Sequence, residues 1–84
     1  MTRANETAAA YMSDEDAIRD REQFVRNLGD LLSQTRESVV KCELFDAETP
    51  FEQVCVTYKS GYERWIRTYM DSYAAIIRDV AKGI

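Results

Sequence analysis

The apolar pattern of this chain changes its period once, near residue 36, and that change decides what the chain can fold into. Up to that point Ala17, Ile18, Phe24, Val25, Leu28, Leu31, Leu32 and Thr35 recur with helical spacing, laying one apolar stripe along about six turns. Beyond it Val40, Cys42 and Leu44 alternate with Lys41, Glu43 and Phe45, and Val54, Val56 and Tyr58 alternate with Cys55, Thr57 and Lys59. Strict alternation is the mark of half-buried strands. A long amphipathic helix followed by antiparallel strands is an α+β arrangement, in which the helix stripe and one face of the sheet cover each other.

Local chemistry sets the ends of these elements. Ser13-Asp14-Glu15-Asp16 supplies a capping side chain and first-turn carboxylates, so a helix is expected over residues 14 to 36. Glu15 to Arg19 and Glu22 to Arg26 are spaced for ion pairs on its outer face. Gly29, costly within a helix, points to a close backbone contact beside Val25 and Leu32. Asp46-Ala47-Glu48-Thr49-Pro50 is turn chemistry, and pairing Phe45 with Phe51 puts Val40, Cys42, Leu44, Val54, Val56 and Tyr58 on one face. Cys42 and Cys55 then fall on opposite faces, which argues against a disulfide between them.

From Ser60 onward two readings compete. Tyr62, Trp65, Ile66, Tyr69, Tyr73, Ile76, Ile77 and Val80 fit one long helical stripe, opened by a capping box of Ser60 and Glu63. Ser60-Gly61, however, is a hairpin turn signal, and Tyr62, Trp65, Ile66, Thr68 and Tyr69 favour a strand. A third strand also relieves the marginal stability of a lone hairpin. The expectation is therefore an αβββα chain with a sheet of three strands, or of two on the helical reading. Asp71 or Ser72 then caps a final helix that buries Tyr73, Ile76, Ile77 and Val80 and ends at Gly83. Residues 13 to 84 form one domain, and residues 1 to 12 a flexible or short-helical arm.

Composition narrows the function. Eighty-four residues suffice for one small core. The net charge of −4 repels a phosphate backbone on average, so direct nucleic-acid binding is disfavoured. The chain has no histidine, which removes the commonest general base and metal ligand. Two cysteines cannot complete a structural zinc site. No catalytic residue, metal or cofactor is expected. No segment has the apolar length of a membrane span or a signal peptide, and the expected setting is cytoplasmic.

Two resemblances bear on these expectations. The order helix, three strands, helix resembles that of a double-stranded-RNA-binding domain. The lysine cluster that opens the last helix of such domains is replaced here by Asp71-Ser72-Tyr73-Ala74-Ala75, so the phosphate grip has no residues to carry it. Val56-Thr57-Tyr58-Lys59-Ser60-Gly61-Tyr62, with Asp71-Ser72-Tyr73-Ala74-Ala75-Ile76-Ile77-Arg78-Asp79-Val80, resembles small proteins carried on mobile elements of gut Firmicutes. That likeness implies a phage or mobile-element origin and a third strand, and brings no site residues with it.

The candidate site residues are of two kinds. Negative charge centres on the first hairpin, at Glu43, Asp46, Glu48 and Glu52, where a basic partner can dock; a plain solvated face accounts for the same residues. Tyr62, Arg64, Trp65 and Arg67 lie among the late aromatics and have the composition of an interface hot spot, although filling the core explains the rings equally well. The expected function is that of a small acidic, non-enzymatic protein-binding module. It inhibits or regulates a partner with a basic surface, such as a nucleic-acid-binding enzyme, as an anti-CRISPR protein or an antitoxin does. The alternatives are a small DNA-binding transcriptional or excision regulator, and a structural homodimer paired through Ile18, Val25, Leu28 and Leu32.

Overall fold

The computed structural model describes residues 14–68 and 72–84. Its elements are α1 (Asp14–Thr35), β1 (Val39–Phe45), β2 (Gln53–Tyr58), β3 (Glu63–Arg67) and α2 (Tyr73–Gly83). The three strands form one antiparallel sheet in the order β1-β2-β3, so the chain is αβββα and of the α+β class. The expected arm over 1 to 12, the Ser13 cap and Tyr69 lie outside the described residues.

The α1 stripe is spent within the chain. Val25 is fully buried, and Ile18, Phe24, Leu28 and Leu32 pack against the same core, so the alternative of a helix pair between two chains has no free stripe to use. Leu31 is 57% exposed, because it lies on the flank next to Leu32 rather than on the line of Val25, Leu28 and Leu32. The surface pairs also differ from expectation: Arg19 bonds Asp16, and the Arg26 guanidinium donates to Gln23 Oε1 at 3.1 Å, each choosing the partner three residues back. Gly29 is needed where α1 crosses β1. A methyl group there would run into the Cys42 amide and come within 3.0 Å of the Cys42 Cβ.

The first hairpin pairs Cys42 with Val56, Leu44 with Val54 and Phe45 with Gln53, two residues away from the expected Phe45–Phe51 register. The connection is wider than a tight turn, and a shift of two keeps every side chain on its expected face. An irregularity between Val39 and Lys41 makes one exception. Val39 takes the inward position, and Val40, expected inside, is 45% exposed.

The Lys59-Ser60-Gly61 turn decides the later ambiguity in favour of the strand. The Gly61 amide donates to Tyr58 O at 2.8 Å, the Tyr58 amide donates to Tyr62 O at 2.9 Å, and Gly61 has φ 91°, a conformation that suits glycine. Ser72 caps α2, its Oγ accepting from the Ala75 amide at 3.2 Å. The helix buries Ala75, Ile76 and Val80 and leaves Tyr73 and Ile77 outside, at 42% and 46% exposed. The buried face is thus rotated from the expected one, with Ala75 turned inward and Tyr73 and Ile77 outward.

Val25, Val39, Cys42, Leu44, Val54, Val56, Ile76 and Val80 form one core between both helices and one face of the sheet. Its fully buried part holds no aromatic ring: Trp65, Tyr62 and Tyr73 are exposed, and of the described tyrosines Tyr58 alone packs against its edge. Among the described residues no helix is long and apolar enough to cross a membrane.

Candidate protein-docking site

Because both helices lie on one side, alternation sends the remaining strand residues to a face that no described element covers. These are Lys41, Glu43 and Phe45 on β1, Gln53, Cys55 and Thr57 on β2, and Glu63, Trp65 and Arg67 on β3. Phe45 and Trp65 reach each other across β2, with ring centroids 5.1 Å apart and planes tilted by 53°. The rings remain 42% and 47% exposed. Cys55, the register partner of both Glu43 and Trp65, is left only 4% exposed by its neighbours.

The rim of this face is charged. Lys41 Nζ lies 3.5 Å from Glu43 Oε1, and Arg67 Nη2 donates to the Pro50 carbonyl at 3.2 Å, which ties β3 to the hairpin loop. In that loop Asp46 (φ 54°) and Glu48 (φ 63°) occupy the left-handed region, and both side chains are exposed. Thr49 holds the turn, its Oγ1 donating to Asp46 O at 2.7 Å and accepting from the Phe51 amide at 3.1 Å.

Glu52 is not part of the surface. It is 0% exposed and forms a two-pronged pair with Arg21, from Nε at 2.5 Å and from Nη2 at 2.7 Å. The Glu48 amide donates to it at 3.0 Å and the Thr68 hydroxyl at 2.6 Å. Burial pushes the carboxyl group's pKa up, but the bonds from Arg21, the Glu48 amide and Thr68 prevail and bring it down to about 2. Arg21 is itself only 4% exposed, lies 3.4 Å from the Glu48 carboxylate, and sits over the Tyr73 ring, which stacks on Phe24 at 4.4 Å. Glu52 thus joins α1, the hairpin loop and the end of β3. Glu43 lies on the opposite face of the sheet, so these two carboxylates of the hairpin do not meet.

The late residues divide in the same way. Arg64 is the register partner of Val56 and so lies on the helix side of the sheet, away from Trp65 and Arg67. It stands over the Tyr62 ring at 5.9 Å, and Tyr62 is tilted against Tyr58 with centroids 5.7 Å apart. Of the residues expected to bind a partner, Glu43, Trp65 and Arg67 share one face; Asp46 and Glu48 lie on the loop beside it; Tyr62 and Arg64 are elsewhere; and Glu52 is interior. The sequence reading missed Phe45 as a site residue and Arg21 as an interior one. Phe45 was legible in the alternation of β1, and Arg21 as the charge on the stripe line between Ile18 and Val25.

Both thiols are held neutral. Burial, with a smaller contribution from Cys55, pushes Cys42 up to about 11; burial, then Glu63, raises Cys55. Among the described residues no three acidic or thiol groups converge as metal ligands. The arrangement offers an apolar contact patch with a charged rim. No family model, curated protein or solved structure matches the chain.

Proposed function

We propose that this chain is a non-enzymatic protein-binding module that docks its partner on the uncovered sheet face. Trp65 and Phe45 form the apolar centre, and Glu43, Asp46 and Glu48 the acidic side of the rim. The observation that carries this reading is the pair of rings in mutual contact, nearly half exposed, on a face opposite a core that closes without them. Large aromatic side chains are the residues through which protein interfaces gain most of their affinity.

Charge gives the partner its chemistry. With Glu52 neutralised inside, residues 37 to 59 still present Glu37, Glu43, Asp46 and Glu48 against Lys41 and Lys59. That excess steers a basic surface toward the hairpin. The groove of a nucleic-acid-binding enzyme is such a surface, and a chain lodged in it inhibits or regulates the enzyme. An anti-defence inhibitor or an antitoxin of phage or mobile-element origin works in this manner.

Pull-downs from host lysate at low and high salt test the reading with three variants: Trp65→Ser, the triple change of Glu43, Asp46 and Glu48 to Ser, and Tyr62→Ser. A basic partner held by the wild type and by Tyr62→Ser, but lost from the other two and at high salt, is the expected result. A partner held equally by all variants, or retention of the chain on DNA at physiological salt, would overturn it.

A further inference from the structure

At the end of the sheet remote from the first hairpin loop, an open cleft of about 780 Å3 lies between the end of α1, the start of β1 and the β2–β3 turn. It is open to solvent along most of its boundary, so a ligand held there keeps one side in water. The Lys59 amide donates to Ser38 O at 2.8 Å and braces its floor. Besides Ser38 and Ser60, three kinds of group line it: the cations Arg36 and Lys59, the rings of Tyr58 and Tyr62, and the carboxylate of Glu37.

The cations are unusual for so acidic a chain. Neither Arg36 nor Lys59 has a side-chain carboxylate within ion-pair distance among the described residues, and the Arg36 guanidinium donates to the main-chain oxygen of Ile84 at 3.4 Å. Arg64, likewise without a carboxylate, stands over the Tyr62 ring and adds a third positive charge at the border. Guanidinium and ammonium groups left in this state recognise phosphate oxygens. A flat ring is recognised by the exposed Tyr62 and its neighbour Tyr58. An unpaired carboxylate beside them accepts hydrogen bonds from vicinal hydroxyls, as acidic residues do from ribose.

We infer that this cleft binds a ribonucleoside monophosphate, its phosphate on Arg36 and Lys59, its base against Tyr62 and Tyr58, and its ribose hydroxyls on Glu37. Charge selects a free nucleotide over a nucleic-acid end. The net charge of −4 opposes a long phosphate backbone, whereas a small anion enters within the roughly 8 Å over which local charges act at physiological salt.

The test is a titration of the labelled full chain with AMP, followed by amide NMR. Saturable shifts confined to Arg36–Ser38 and Tyr58–Tyr62 are expected, with affinity about tenfold weaker in Arg36→Gln/Lys59→Gln and unchanged in Trp65→Ser. Both cations are exposed, so the double variant should keep the wild-type circular dichroism spectrum. No saturable shift up to about 10 mM AMP, an equal affinity for inorganic phosphate, or tighter binding of a 5′-phosphorylated oligonucleotide would each overturn the inference. Because Trp65→Ser leaves this site intact and removes the proposed docking centre, the two readings fail separately.

Discussion

Glu52→Gln should be among the most damaging single changes available in this chain. Glutamine turns one of the two acceptor oxygens into an NH2 donor, so either the Glu48 amide, bound to Oε2, or the Thr68 hydroxyl, bound to Oε1, loses its acceptor. Arg21, charged and 4% exposed, then keeps only the exposed Glu48 carboxylate at 3.4 Å as counter-ion. Removing one partner of a buried pair costs about 3 to 5 kcal/mol, because the other charge stays buried. Proton linkage gives a similar scale. The carboxyl pKa falls from 4.5 to about 2, worth on the order of 3 kcal/mol. Since the folded pKa is the lower one, this contribution is complete above about pH 4.5 and disappears as the pH falls toward 2. At ~0.05 to 0.15 kcal/mol per residue, a chain of this length has only about 4 to 13 kcal/mol to lose. Urea unfolding at pH 7, followed by circular dichroism, should show a midpoint lowered by about a quarter or more, or a chain already unfolded. The double variant Arg21→Met/Glu52→Gln should cost less than the two single changes together, by at least about 2 kcal/mol. A loss below about 1 kcal/mol for Glu52→Gln, additive with Arg21→Met, would refute the argument that this pair is desolvated and coupled.

Three further outcomes follow from the packing. Gly29→Ala gains about 1 kcal/mol of helix propensity but drives a methyl group into Cys42, so urea unfolding should show a net loss of about 1 to 3 kcal/mol. Ser72→Ala removes the α2 cap and should cost about 1 kcal/mol in the same assay. Cys42, buried and with its pKa pushed up to about 11, should resist a thiol reagent at pH 8 in the native chain and react at once in urea.

The elements were legible because each rests on a short-range signal. The stripe of α1, the alternation of β1 and β2, the Ser60-Gly61 turn and the Ser72 cap all work over a few residues, and each stands where the sequence puts it. The register of the first hairpin was missed by two because a loop that wraps around a carboxylate has no compositional mark. Val40 was misplaced for a related reason: one irregular residue in β1 exchanges inside and outside without changing the local pattern. The candidate site was half visible. Alternation separates Trp65 and Arg67 from Arg64, but a composition count groups all three.

Glu52 shows why charge counted along a chain misleads about surface. It shares parity with Val54 and Val56, so the alternation of β2 already places it on the core face, opposite the empty line of α1 between Ile18 and Val25 that Arg21 occupies. Read together, a charge on the apolar stripe and a charge on the inward face of a strand define an interior pair before any coordinate is known. The pair has a consequence for docking. By accepting the Glu48 amide, Glu52 holds the loop that presents Asp46 and Glu48 beside the Phe45–Trp65 patch, and Arg67 fastens the same loop through Pro50. Loss of partner binding on changing Glu52 would therefore report loss of the scaffold, whereas loss on changing Glu43, Asp46 or Trp65 in a chain that still folds would report the contact itself.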